Sequence, residues 1–76
     1  MLKLSHMTDR AVKRIGRKLR VERESRGYTQ EYVAGKAGIT RNYYALIERG
    51  LKNPSTTVFS DIIDALGIKS ADILGK

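Results

Sequence analysis

Residues 29–50, TQEYVAGKAGITRNYYALIERG, carry two helix starts, Thr29 and Thr40, and two helix stops, Gly38 and Gly50. Each threonine can accept a hydrogen bond from a free N–H of the first turn. Each glycine can take the left-handed conformation that ends a helix. Only Gly38-Ile39 separates the first helix from the second. Helices this short do not persist in water unless their apolar faces are covered. The pair must therefore fold against further helices, and it must bend sharply. Ala34, Ala37 and Gly38 are small enough to let the two helices approach at a steep angle, as in an αα-corner.

The rest of the chain supplies those further helices. Thr8 is placed to cap a first helix, with Asp9 in its first turn, where the helix dipole favours negative charge. Val12, Ile15 and Leu19 then recur at helical spacing, and Gly27 stops the helix. Gly16 lies inside it at a cost of up to about 1 kcal/mol relative to alanine, which suggests close packing or simple tolerance. Val21 points to the wet side. Arg23 projects almost onto the Val12/Leu19 stripe, and an arginine on a buried face requires a carboxylate partner.

Past Gly50, Leu51-Lys52-Asn53-Pro54 reads as a loop, because Pro54 cannot sit inside a helix. Ser55 caps a fourth helix containing Val58, Phe59, Ile62, Ile63 and Leu66, stopped by Gly67. Ser70 is expected to cap a last short helix carrying Ile73 and Leu74. No stretch alternates like a strand and no internal repeat is visible. The expectation is an all-α, compact five-helix domain over residues 8–76. Residues 1–7 are read as a tail, since Ser5-His6-Met7 is typical of a cloning junction.

At 76 residues there is room for one modest core. No cysteine is available to reinforce it by disulfide or by a cysteine-based zinc site, so oligomerisation is a reasonable route to stability. The net charge is +7 and unevenly spread. Residues 1–26 carry nine Lys/Arg against three Asp/Glu, residues 27–53 four against two, and residues 54–76 two against three. A polyanion, either nucleic acid or an acidic membrane surface, is the partner such a bias suits, although a solvated helix face accounts for it equally well.

Projection of the third helix sharpens the question. Tyr44 and Ile47 share the side that must face the core. Asn42, Ala45, Leu46 and Arg49 lie opposite, with Arg41 at the flank near the N-terminus. An arginine, an asparagine and small or aliphatic groups on an outward helix face suit base edges in a major groove. There Arg pairs bidentately with guanine, Asn with adenine, and an aliphatic group packs on the thymine methyl. Taken alone, the same face is equally an ordinary polar one.

The segments RGYTQEYVAGKAGIT, IERG, NPS and ALGI, in this order and spacing from about Ile15 to Leu74, resemble the Cro/phage-repressor-like (XRE-type) helix-turn-helix family. The resemblance implies a lambda-repressor-like DNA-binding fold and a sequence-specific transcriptional regulator of double-stranded DNA. Such a regulator is a homodimer on a pseudo-palindromic operator and is commonly a repressor. It implies base contacts from Arg41, Asn42, Ala45 and Leu46. It implies phosphate contacts from Thr29, Gln30, Thr40, Tyr43, Arg49, Lys52 and Asn53, the helix start at Thr29-Gln30 being suited to an anion. It also pairs Arg23 with Glu48, the carboxylate that the projection of the first helix requires. Ile68, Ile73 and Leu74 are expected at a dimer seam, or else closing the core.

RNYYALIERGLKNPS looks most like the restriction-modification controller proteins within this family. Antitoxins and phage-type regulators, whose main partner can be another protein, are the alternative. Contact with RNA polymerase fits either mode of control. Two departures from the family pattern are Tyr44, where a branched aliphatic is usual, and Glu22, where an apolar residue is frequent.

Other classes are disfavoured. An enzyme would need a catalytic set, and the one histidine lies in the tail with no serine–histidine–acid arrangement. Asp61 and Asp64 are more simply a solvated face than a metal site. No cofactor, metal or small-molecule ligand is indicated. A membrane-surface role would consume the apolar stripe of the first helix, which the core needs. No spanning segment or export signal is visible, so a cytoplasmic protein is expected.

Overall fold

The computed structural model describes residues 9–75. Five helices follow in order: α1 (Asp9–Ser25), α2 (Gln30–Ala37), α3 (Arg41–Glu48), α4 (Thr56–Leu66) and α5 (Ser70–Leu74). There is no strand among the described residues. The start signals act through their side chains. Thr29 Oγ1 accepts from the Tyr32 N–H and Thr40 Oγ1 from the Tyr43 N–H, both at 3.0 Å. Ser55 Oγ accepts from the Val58 N–H at 3.1 Å.

The α2–α3 turn has the expected length. Gly38 takes φ +75°, and the Ile39 N–H returns to the Ala34 carbonyl at 3.0 Å. One cap expectation comes out differently. Ser70 is the first helical residue of α5 and Lys69 the N-cap, whose N–H donates to Asp72 Oδ2 at 2.9 Å. The acid three residues on satisfies the helix start in place of a serine hydroxyl. Thr8, expected to cap α1, lies outside the described residues, as do residues 1–7.

α3 packs between α1 and α2, α4 covers α2, and α5 closes against α1. Ile15 and Leu19 from α1 join Val33, Ala34 and Ala37, then Tyr44 and Ile47, then Ile62, Ile63 and Leu66 in one core, and Val12 is buried on the same side of α1. Ile73 completes this core at 1% exposure. Its place on the dimer seam is therefore corrected, since α5 turns it inward and leaves Leu74 outside, half exposed at 50%. Ile68 is partly buried and packs on the core's edge. Tyr44, the larger ring in place of an aliphatic, is fully buried and is the largest such side chain. Glu22 stays at the surface, taken up by Arg26 one turn later.

The crossing of α1 and α3 depends on glycine. A Cβ at Gly16 would stand 2.4 Å from the Ile47 carbonyl oxygen and 2.6 Å from that of Glu48. On the other side of the same crossing, a Cβ at Gly50 would reach the Lys13 backbone, with Gly50 itself at φ +75°. Gly16 is thus where the first helix touches the backbone of the third.

Candidate nucleic-acid interface

α3 is anchored by its back. Tyr44 and Ile47 fill the core, and Glu48 is the one buried charged residue among the described residues. Glu48 receives two hydrogen bonds from one guanidinium. Arg23 Nε donates to Oε2 at 2.6 Å and Nη2 to Oε1 at 3.1 Å. The remaining Nη1 donates to the Tyr28 carbonyl at 2.8 Å. One arginine thereby ties the end of α1, the approach to α2 and the end of α3. The side chains are 11% and 2% exposed, so removing either partner strands the other without water.

Gln30 extends the chain of contacts. Its Nε2 donates to Glu48 Oε1 at 3.0 Å, and its Oε1 accepts from Arg41 Nη1 at 3.4 Å. The contacts therefore run from Arg23 through Glu48 and Gln30 to the first residue of α3. Burial by itself raises the Glu48 carboxyl, but the hydrogen bond from Arg23, the neighbouring Tyr44 hydroxyl and the hydrogen bond from Gln30 together outweigh it and hold the group below its ordinary value. The hydrogen bond to Glu48 holds the Arg23 guanidinium above its ordinary value against the cost of burial. Burial also pushes the Tyr44 phenol far above its usual range, with the Glu48 carboxylate adding to it. The Tyr44 hydroxyl is buried without a hydrogen-bond partner.

The outward face of α3 is as follows. Arg41 and Asn42 are exposed at its N-terminal end, and Ala45 and Leu46 are half-buried one turn further on. Thr29 and Thr40 are exposed, each with its oxygen occupied as a cap acceptor and its hydroxyl hydrogen available. The first N–H groups of α2 have no intrahelical acceptor. Tyr43 is half-buried with its ring on the core. Arg49 and Lys52 are exposed and Asn53 is half-buried. Arg41, Asn42 and Thr40 lie at the start of α3 and Arg49 and Lys52 past its end, while Gln30 at the α2 start reaches both Arg41 and Glu48.

Sequence reasoning assigned Gln30 to a phosphate and did not foresee its amide linking Glu48 to Arg41. Its position at a helix start was the visible signal, and only the fold brings Glu48 within reach. It also did not single out Lys13, Arg17 and Arg20. With Arg49 and the Arg23–Gln30–Glu48 contacts, these line an open groove of about 700 Å³ between α1 and the end of α3.

The chain matches the helix-turn-helix family over residues 19–74. It is 37% identical over 62 residues to the immunity repressor protein of Bacillus phage phi105, covering 82% of this chain and 43% of the repressor. The chain therefore spans less than half the length of that relative. It is 44% identical over 59 residues to an uncharacterised HTH-type transcriptional regulator of Bacillus subtilis, YazB, covering 78% of this chain and 84% of the relative. Among solved structures it superposes with a TM-score of 0.80 on the restriction-modification controller protein C.AhdI from Aeromonas hydrophila. That match is 32% identical and covers 87% of this chain and 98% of the other. The clp gene regulator ClgR from Corynebacterium glutamicum matches with a TM-score of 0.82 at 30% identity, covering 84% and 82%.

Proposed function

The chain belongs to the helix-turn-helix family, and we propose that it is a sequence-specific regulator of transcription that binds double-stranded DNA as a homodimer on a pseudo-palindromic operator. α3 enters the major groove. Arg41 and Asn42 read base edges by hydrogen bonds, and Ala45 and Leu46 give the apolar contacts that a thymine methyl accepts. Thr29, the α2 start, Thr40, Tyr43, Arg49, Lys52 and Asn53 meet phosphates on either side. Gln30 serves chiefly to orient Arg41, with its backbone N–H left for the phosphate.

The observation that supports this most is the tie from Arg23 through Glu48 and Gln30 to Arg41. It fixes the angle of α3 from behind and steers the residue best suited to a guanine. The buried ion pair holds the last residue of α3, and Gln30 carries the contact on to the first.

The dimer seam forms around Leu74, with Ile68 beside it and an apolar groove lined by Phe59 and Ile63 to receive the partner. Control of a restriction-modification operon is the biological role favoured, supported by the near-complete overlap with C.AhdI. Regulation proceeds by occluding RNA polymerase or by contacting it. Selection from random duplex DNA at about 150 mM salt tests the reading. An inverted repeat with half-sites about one helical turn apart is expected, and enrichment of no sequence would refute it.

A further inference from the structure

We propose that the N-terminal half of α1 is a second track for DNA phosphates, carried by Arg10, Lys13, Arg14 and Arg17 and continuous with Arg49 at the end of α3. The proposal rests on the DNA-binding reading and adds a surface that lies outside the two helices of the motif.

The first observation is an asymmetry within one helix. Toward its C-terminal end each arginine has a carboxylate: within the helix Arg20 with Glu24 and Arg23 with Glu48, and just past its end Arg26 with Glu22. In its N-terminal half, Arg10, Lys13, Arg14 and Arg17 are all exposed and none has an ion-pair partner among the described residues. At about 100° per residue the four fall within an arc of about 100° and so form one stripe. Neighbours three and four apart repel one another on a helix, and the positive end of the helix dipole disfavours cations in the first turns. The stripe therefore runs against local stability on two counts, which is the mark of residues kept for a partner.

The second observation is continuity. Lys13 and Arg17 share their groove with Arg49 and with the Gln30–Glu48 contacts behind α3. The Lys13 backbone lies against Gly50, where the chain leaves α3. Arg17 also borders a further groove with Arg10 and Arg14. The stripe thus leads from the edge of the base-reading helix outward along α1. From residue 10 to 17 it covers about 10 Å of helix, long enough to face more than one phosphate of a strand.

The chemistry selects a duplex backbone over a membrane. The apolar side of this helix is buried in the core through Val12, Ile15 and Leu19, so nothing remains to insert among lipids. Long, unpaired cations suit repeating phosphates and carry no base preference. Their contacts fall on the flanks of each half-site, beyond the bases that α3 reads.

The test compares the wild-type chain with R10Q/K13Q/R14Q/R17Q, which keeps the side-chain stems and helix propensity. Binding is measured against salt on a selected operator, on random duplex DNA and on phosphatidylserine vesicles. The variant should select the same sequence, bind about tenfold or more weakly at 150 mM salt, and show a salt slope shallower by about 0.9 for each phosphate it no longer neutralises. Circular dichroism and urea unfolding establish that it is folded. Arg14→Gln/Arg17→Gln repeats the comparison with half the change should the fourfold variant fail to fold.

An unchanged affinity and slope in a folded variant would overturn the proposal and leave the regulator reading intact. A wild-type chain without sequence preference, whose binding to random duplex still depends on these four residues, would support the track and overturn the operator. Failure of the wild type to bind duplex even at low salt would overturn both. Vesicle binding stronger than duplex binding and lost in the variant would move the stripe to a membrane and overturn it as well.

Discussion

Replacing Gly16 by alanine sets helix propensity against packing, and the two disagree in sign. On propensity alone the change in mid-helix gains up to about 1 kcal/mol. The new Cβ would stand 2.4 and 2.6 Å from the carbonyl oxygens of Ile47 and Glu48, and 2.9 Å from the Glu48 carbonyl carbon. These are backbone atoms of the last turn of α3, so no rotamer change relieves the overlap. Restoring ordinary contact requires α1 and α3 to separate by about 1 Å, at the crossing that also brings Arg23 to Glu48. Overpacking of this kind costs about 1–3 kcal/mol, and the rigidity of the neighbours puts it toward the upper end. The net expectation is a loss of about 1–2 kcal/mol, or a fall in Tm of about 5–15 °C for a domain of this size.

Gly35 supplies the control. It lies inside α2 with nothing within 4 Å of the position its Cβ would take, so Gly35→Ala should gain up to about 1 kcal/mol. Urea unfolding followed by far-ultraviolet circular dichroism gives both signs in one experiment. Opposite signs are expected. A Gly16→Ala variant as stable as the wild type, or shifted in the same direction as Gly35→Ala, would refute the close crossing.

Three further outcomes follow from the same contacts. Glu48→Ala strands Arg23 and should cost about 3–5 kcal/mol. Because the Glu48 carboxyl is held below its ordinary value of 4.5, its contribution is complete above that pH and is lost as the pH falls through the depressed value. The acid loss of stability should therefore be shallower in the variant, and equal slopes would contradict the pairing. Tyr44→Phe removes a buried hydroxyl that lies by the Glu48 carboxylate without hydrogen-bond geometry, so stability should change by less than about 1 kcal/mol, and a larger loss in the unfolding curve would reveal a hydrogen bond there. Leu74→Asp at the half-exposed end of α5 should give a folded monomer by analytical ultracentrifugation, and an unchanged dimer would move the seam elsewhere.

Much of this fold is legible in the chain because its helix boundaries are chemical. Thr29, Thr40 and Ser55 cap the helices they precede, and Gly38 and Gly67 end theirs in the left-handed conformation. Periodicity placed Tyr44 and Ile47 inside, and the stripe of α1 asked for a carboxylate at Arg23. What remained hidden depends on distances between helices. Gly16 suggests either close packing or tolerance, and only the fold shows that the backbone of α3 lies against it. Ile73 and Leu74 are adjacent and chemically alike, so only the docking of α5 decides that one is core and the other surface. Gln30 carries no pattern that would announce its place between Glu48 and Arg41. Of the interface itself, residue types, their order and the Arg23–Glu48 pair were legible, and the extension of that pair through Gln30 to Arg41 was not.

The central claim is that the outward face of α3 reads bases while its flanks hold the backbone. It is tested most directly by the base preference, position by position, of the wild type, Arg41→Ala and Lys52→Ala on one selected operator and its single-base variants. Arg41→Ala should lose about 1–3 kcal/mol and become indifferent at one base pair of each half-site, whereas Lys52→Ala should weaken every sequence alike. An Arg41→Ala variant that keeps the full wild-type preference at every position would contradict the account.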